Sequence, residues 1–381
     1  MTAALEVVFW LTVALLVYAQ LGYPVVLAAL SRVRRPRPGE EPVPVEVELP
    51  SVSLVVAAHN EEEVIAEKVA DALSQDYPRG RLEVMVCCDG ATDATAERAR
   101  AAGADAVLEL PRGGKIRAQD AGVERARGEI VAFSDANARW SADALRRLVA
   151  AFAHPEVGYA CGRVRFVTEG GTNQEGLYWR YEMWVRALES GLRSITAGNG
   201  AIYATRAESY LRVDPIMGHD LSFPFNLVKR GWRAVYVPDA RATEKMVPSI
   251  EGEFQRKRRM MSHTWPILLR GGMLSPRGYG PLYTLMIVSH RVLRYLLPFL
   301  HLLVLVVNVA LVLLGAGTLY TVTLAAQDAF VLAALAGGVL PLRPLLVIRY
   351  YVLTVVATLL GLWDWLRRGT PAEWEAAGGT R

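Results

Sequence analysis

Asp135 and Asn137 stand two residues apart in the run Ile130-Val-Ala-Phe-Ser-Asp-Ala-Asn-Ala-Arg139. A carboxylate and a carboxamide at that spacing are hard oxygen donors that can share one divalent cation and hold it against a diphosphate. The spacing alone fits an ordinary loop aspartate equally well, so its place in the fold decides. Ile130 to Phe133 reads as a buried strand that breaks off into Ser134-Asp135-Ala136-Asn137, ahead of a helix expected from Ser141. The pair therefore falls at the C-terminal end of a strand, where strand ends and helix starts of an open α/β sheet converge on a ligand crevice.

Two other strands end in the same way. Val52 to Ala57 exits into His59-Asn60-Glu61, and Leu82 to Cys88 exits into Asp89-Gly90-Ala91-Thr92-Asp93. Apolar residues at helical spacing follow each exit, over Glu61 to Leu73 and Thr92 to Ala102. This alternation implies a parallel sheet with right-handed crossovers. Three polar exits from neighbouring strands describe one site better than any of them alone.

The rest of the chain is written for a membrane. Of 381 residues, 52% are hydrophobic, and the mean hydropathy is +0.21, high for a protein without apolar spans. A net charge of +4 excludes a polybasic nucleic-acid binder. Cys87, Cys88 and Cys161 show neither metal-ligand nor disulfide spacing and read as buried thiols of a cytosolic domain. Val7 to Leu30 is long enough to cross a bilayer, and the basic cluster Arg32, Arg34, Arg35 and Arg37 follows it, which orients the N-terminus outward. Pro36 to Pro50 reads as an extended linker. The expected layout is a transmembrane helix over 1–31, a cytosolic linker over 32–50, an α/β domain over 51–272, an amphipathic interface region over 273–294, about three spans over 295–368, and a tail over 369–381. Tyr283 to Arg294 suggests the interface helix because His290, Arg291 and Arg294 interrupt it. The spans are expected at Leu296 to Leu314, Leu319 to Leu340 and Leu345 to Leu366. Three C-terminal crossings would leave Arg367 and Arg368 outside, against the positive-inside tendency, unless the segment containing Arg349 is interfacial.

An ordered set of motifs carries a resemblance. Ala57-Ala58-His59-Asn60-Glu61-Glu62, Gln75-Asp76-Tyr77-Pro78, Cys88-Asp89-Gly90-Ala91-Thr92-Asp93, Gly114-Lys115 and Ser134-Asp135-Ala136-Asn137 are followed by Gly198-Asn199-Gly200-Ala201, His219-Asp220, Gly231-Trp232, Pro238-Asp239-Ala240, Glu244 and Gln255 to Arg259. Together they resemble glycosyltransferase family 2, in its membrane-bound branch related to cellulose synthase, hyaluronan synthase and poly-N-acetylglucosamine synthase. The resemblance implies a GT-A nucleotide-diphospho-sugar transferase domain flanked by transmembrane helices. Ala57, His59, Asn60, Glu61, Asp89, Lys115 and Asp135 would bind a nucleotide-sugar, most simply UDP-linked. Asp135 and Asn137 would hold Mg²⁺ or Mn²⁺, and Asp220 would be the general base of an inverting transfer. Gly198, Asn199, Gly200 and His219 would meet the acceptor, while Gln255, Arg256, Arg258 and Arg259 would contact the diphosphate.

Four positions depart from the family pattern: Cys88, Asn137 in place of a second metal-binding carboxylate, His219 in place of an acid before the base, and Met260 in place of tryptophan. In processive relatives that tryptophan stacks under the terminal acceptor sugar, and Trp265 is the nearest substitute. The aromatics Tyr178, Trp179, Tyr181 and Trp184 mark a helix whose stripe is either core or a sugar- or lipid-stacking face. The implied partners are a nucleotide-sugar, a glycan or lipid-linked acceptor, the bilayer of the cytoplasmic membrane, and a second copy or an export partner. The alternatives are single-sugar transfer to a lipid carrier and a non-catalytic nucleotide-sugar-binding scaffold.

Overall fold

The structure, a computed structural model, describes residues 2–33, 49–167, 175–245 and 249–373. Arg34, Arg35, Arg37 and nearly all of the expected linker lie outside these residues, as does the side chain of Tyr178. The apolar runs form an eight-stranded sheet: β1 Val52–Ala58, β2 Leu82–Asp89, β3 Ala106–Leu110, β4 Ile130–Asp135, β5 Arg139–Trp140, β6 Val157–Val167, β7 Ile202–Arg206 and β8 Arg233–Lys245. Their spatial order is β3-β2-β1-β4-β7-β6-β8-β5. The parallel reading holds for β3-β2-β1-β4, whereas β7 runs antiparallel to both β4 and β6.

Register places the exits side by side. Ala57 of β1 lies between Cys87 of β2 and Asp135 of β4. β1 and β4 are buried along nearly their whole length, as continuous apolar runs covered on both faces must be. The helix after β1 begins at Ile65 rather than Glu61. Asn60 takes a left-handed φ of 52°, and the Glu61 carbonyl accepts from Val64 and Ile65 at 3.1 and 2.9 Å, so a turn intervenes. The helix after β4 begins at Ala144, behind a turn in which the Ser141 hydroxyl donates to Asp143.

Among the described residues, four helices are long and apolar enough to cross a membrane: Thr2–Val33, Pro281–Leu313, Thr318–Ala336 and Arg343–Arg368. The first carries a π-helical turn at Tyr18–Gly22 and the second one at Ile287–Val292. The expected separate interface helix over Tyr283 to Arg294 is not a separate element, because Pro281–Leu313 is continuous. Its charges turn inward instead of toward lipid headgroups: His290 and Arg294 meet Glu182, and His290 also meets Glu189.

Arg343–Arg368 lies alongside and parallel to the helix Ile250–Leu269. Arg349 donates to Glu251 at 2.9 Å, Arg258 makes a two-pronged pair with Asp364 at 2.5 and 2.7 Å, and the Trp265 indole donates to the Thr358 carbonyl at 2.9 Å. A Cβ on Gly361 would come within 2.5 Å of the Met261 Cβ, so glycine sets how closely the helices approach. Arg258→Lys keeps the charge and loses the fork. It is expected to lower the unfolding free energy in detergent by about 1 kcal/mol, read as an earlier thermal midpoint, with donor KM within about twofold of wild type because the lost bonds hold two helices together.

Candidate active site at the strand exits

The Asp89-Gly90 exit is organised by backbone amides. Asp89 is buried at 3% exposure. Its Oδ1 accepts from the Gly113 and Gly114 N–H groups at 2.6 and 3.0 Å, and its Oδ2 accepts from Arg112 at 2.9 Å. The carboxylate thus fixes the glycine turn that launches the helix Lys115–Arg125. Gly114 holds φ at 94°, a conformation that L side chains rarely adopt. His59 Nδ1–H donates to the Asp89 carbonyl at 2.7 Å, and the Asn60 side chain accepts from Thr92 N–H at 2.8 Å, so the first two exits brace each other. Glu61 N–H donates to the Thr95 hydroxyl at 2.8 Å.

Lys115 reaches from that turn to an ion pair with Asp135, and its ammonium lies 3.6 Å from where a Cβ on Gly200 would stand. Glu244 of β8 belongs to the same electrostatic group. Burial, then the neighbouring Asp135 charge, pushes its carboxyl up to about 7. Lys68, buried at 2% exposure, donates to Asp71 and to the Ala138 carbonyl at 3.1 and 2.8 Å under this loop. Among the described residues, no three His, Cys, Asp or Glu side chains converge on one point. Asp135 and Asn137 stand at the β4 exit as one carboxylate, paired with Lys115, and one carboxamide.

Asp220 sits half-buried in the first turn of the helix His219–Lys229. Burial raises its carboxyl above the ordinary aspartate value, while the Lys115 ammonium opposes the rise. Its carbonyl accepts from Gly198 N–H at 2.6 Å, which joins Asp220 to the Gly198-Asn199-Gly200 segment. That segment is pinned from below. Arg186, itself buried, donates to the Asn199 side chain at 2.6 Å and to the Gly198 carbonyl at 3.1 Å. The Asn199 amide donates onward to Gly162 O at 2.5 Å, so its side chain shapes the segment from within. Gly198 is glycine because a Cβ would fall 1.9 Å from the Tyr159 hydroxyl oxygen.

His219 does not face the acceptor space. It is 2% exposed, bonded at Nδ1 to the Tyr203 hydroxyl at 2.8 Å, and stacked on Phe223 with ring centroids 4.0 Å apart. Burial lowers its pKa to about 3, so the ring is neutral. Arg256 pairs with Glu253 within its helix and acts on Glu244, whereas Arg258 faces Asp364 on the opposite side. Gln255 is exposed, and Arg259 lies one turn before His263, on whose ring its charge acts. Trp265 is buried at 3% exposure against Tyr295 and Phe299 of a membrane helix and does not fill the place of the missing tryptophan; Met260 stays 42% exposed. Trp179 packs on Phe166, Tyr181 donates to the Gln20 carbonyl, and Trp184 is largely exposed, at 47%. The C-terminal segment returns to the site: Thr370 donates to the Ser262 carbonyl at 2.9 Å, and the Ala372 main chain lies against Gly114.

Arg112, Arg186 and Tyr159 were not singled out from sequence. Arg112 could have been found from its place before Gly113-Gly114, but Arg186 and Tyr159 carry no local signal.

Such a sheet, with its polar exits gathered beside a buried aspartate, defines a GT-A nucleotide-diphospho-sugar transferase. The sequence profile of "Glycosyltransferase like family 2" matches residues 50–262, and the chain belongs to that family. It is 31% identical over 187 residues to a beta-monoglucosyldiacylglycerol synthase of Nostoc sp., covering 45% of this chain and 39% of that one. It is 26% identical over 230 residues to an N-acetylglucosaminyltransferase of Rhizobium sp., covering 55% and 51% of the two. The chain thus spans about half or less of these relatives' lengths. The fold matches that of the mannosyltransferase PcManGT from Pyrobaculum calidifontis, solved with GDP-Man and Mn²⁺, at a TM-score of 0.70 and 22% identity, over 94% of this chain and 99% of that one.

Proposed function

We propose that this glycosyltransferase moves a sugar, with inversion, from a UDP-sugar to a hydroxyl of a glycan or lipid-linked acceptor at the membrane surface, with Asp220 as general base. The observation that carries this reading is the placement of Asp220. Its carboxyl is desolvated, its carbonyl is tied to the Gly198 amide, and both Lys115 and Asp135 act on it electrostatically. Asp220 takes the proton from the acceptor hydroxyl as the new bond forms at the anomeric carbon and the bond to the nucleoside diphosphate breaks. Lys115 and Arg256 bring positive charge to the side where the leaving group gains negative charge. Asp135 and Asn137 would hold Mg²⁺ or Mn²⁺, which when bound neutralises charge on the departing diphosphate. Asn60, Glu61 and Asp89 frame the nucleoside end, with Asp89 acting through the turn it holds.

The exposed Met260 and the buried Trp265 favour single-sugar transfer over processive synthesis, since neither offers an indole face to a terminal sugar. The diacylglycerol in one relative's name fits a site held at a bilayer. For topology, the parallel packing of Arg343–Arg368 on Ile250–Leu269 supports three crossings and one interfacial helix. With that arrangement the catalytic domain, Arg367 and Arg368 would lie together on the cytoplasmic side.

Nucleotide release by detergent-purified protein, supplied with UDP- and GDP-sugars and polar lipid extract, tests the reading. Turnover is expected with one UDP-sugar, to be lost with EDTA and restored by Mn²⁺ or Mg²⁺. Asp135→Asn is expected to lose about 10²-fold or more, and Asn137→Ala about tenfold, since the neutral ligand contributes less attraction. Donor binding without release from any donor would favour the scaffold instead.

A further inference from the structure

A buried network outside the reaction site joins two membrane helices to the segment that carries Gly198. Its hub is Glu189, fully buried on the helix Glu175–Leu192. Glu189 Oε1 accepts from the Tyr23 hydroxyl at 2.6 Å and lies 2.6 Å from His290 Nδ1, while its Oε2 accepts from the Thr196 N–H at 3.1 Å and hydroxyl at 3.0 Å. Arg291 Nε donates to the same Thr196 oxygen at 2.8 Å. Tyr23 follows the π turn Tyr18–Gly22, and His290 and Arg291 lie within the π turn Ile287–Val292. The two turns touch directly, Tyr18 Oη lying 2.9 Å from Ser289 Oγ. A π turn widens the helix by one residue and so presents the adjacent His290 and Arg291 to the same buried side. Burial raises the Glu189 carboxyl, but His290 and Arg291 outweigh it and hold the group below its usual value, so the hub is a carboxylate.

Such a carboxylate, withdrawn from water, persists only where charge and hydrogen bonds compensate it, and here the compensating groups come from three separate segments, those of Tyr23, Thr196 and the turn Ile287–Val292. The chain of contacts then continues toward the site. Thr196 is two residues before Gly198, whose N–H holds the Asp220 carbonyl at 2.6 Å. We infer that Thr196, clamped between Glu189 and Arg291, is a positioning residue that sets Asp220 and the Gly198–Gly200 segment relative to the membrane-spanning helices. The inference rests on Asp220 being the base. It predicts a particular kinetic signature. The clamp touches no part of the donor site, so loosening it moves the base without changing donor affinity, and a displacement of about 1 Å at a reacting group can cost on the order of 10²-fold.

The test uses the full chain in lipid nanodiscs with polar lipid extract, and UDP-glucose or UDP-N-acetylglucosamine, whichever turns over. Thr196→Val retains the volume and removes the hydroxyl, and is expected to lower kcat about tenfold or more with donor KM within about twofold. Thr196→Ser restores the hydroxyl and is expected to recover most of that loss. Arg291→Lys keeps the charge but removes the Nε donor, and is expected to lower kcat in the same way should the valine variant fold poorly. The inference is overturned if well-folded Thr196→Val keeps kcat within twofold, if serine does not rescue it, or if donor KM rises in step with the loss. A wild-type protein that turns over no donor would instead overturn the assignment of Asp220 as base on which the inference stands.

Discussion

Asp220→Asn is expected to lower sugar transfer by about 10²–10⁴-fold, the range for loss of a general base, while leaving the protein at least as stable as wild type. Both halves follow from one placement. The carboxyl is desolvated at the start of the helix His219–Lys229, and burial, opposed mainly by Lys115, raises its pKa. A folded-state pKa above the unfolded value means that ionised Asp220 costs stability at neutral pH, and a neutral amide removes that cost. Catalysis needs the ionised form. Turnover should therefore fall as pH drops through a value above that of an ordinary aspartate, while the contribution of Asp220 to stability rises over the same window as its carboxyl takes up a proton. His219 adds no step of its own, because burial holds its pKa at about 3 and the ring stays neutral in any practical assay. Initial rates across pH, beside thermal midpoints of both proteins, check the prediction. A midpoint that drops sharply in the variant would make Asp220 a structural residue.

Gly198→Ala is expected to have the second large effect. A Cβ there would stand 1.9 Å from the Tyr159 hydroxyl, and Tyr159 is fully buried and stacked on Tyr203 at 5.6 Å. It has no open side to move toward, so the main chain must give. Overpacking of this kind costs about 1–3 kcal/mol, and here it also pulls on the amide that holds the Asp220 carbonyl. We expect transfer to fall about 10²-fold, and the thermal midpoint to drop by several degrees. Tyr159→Phe removes the clashing oxygen and should return part of both losses in the double variant; independent, additive effects would show that the clash is not the cause.

The strand exits were legible because each is written locally: an apolar run, an abrupt polar segment, then helical spacing. That was enough to place Asn60, Asp89 and Asp135 at the ends of neighbouring strands, and the ordered motifs extended the reading to Asp220. What sequence left open depends on partners far away in the chain. His219 reads as an acceptor-facing residue from its place before Asp220, yet it is enclosed by Phe133, Tyr203 and Phe223, and only the folded sheet brings these together. His290, Arg291 and Arg294 looked like an interfacial pattern because their carboxylates, Glu182 and Glu189, lie about a hundred positions earlier. Arg258 looked like a diphosphate ligand until Asp364, 106 residues on, claimed it. Charge patterning registers which groups are present, and says little about which of them will find each other once burial makes isolation costly.

The π turn at Ile287–Val292 also has a consequence for reading frame within the helix. It is one residue more than an α-helix needs, and each residue advances the helix by about 100°. That turn absorbs the extra residue, so deleting one residue of Ile287–Val292 would let the segment relax to α geometry with Leu293–Leu313 still in phase with Pro281–Met286. A deletion in the α-helical turns just after it would instead swing the rest of the helix by about 100°, turning Leu302 and Val306, now more than half exposed, inward and the fully buried Leu311 toward lipid. A deletion scan across this helix should therefore show folded yield falling further for deletions between Leu293 and Leu302 than for deletions over the six positions of the π turn. The wide turn works as slack in the helix, taking up a residue without changing which side faces the lipid.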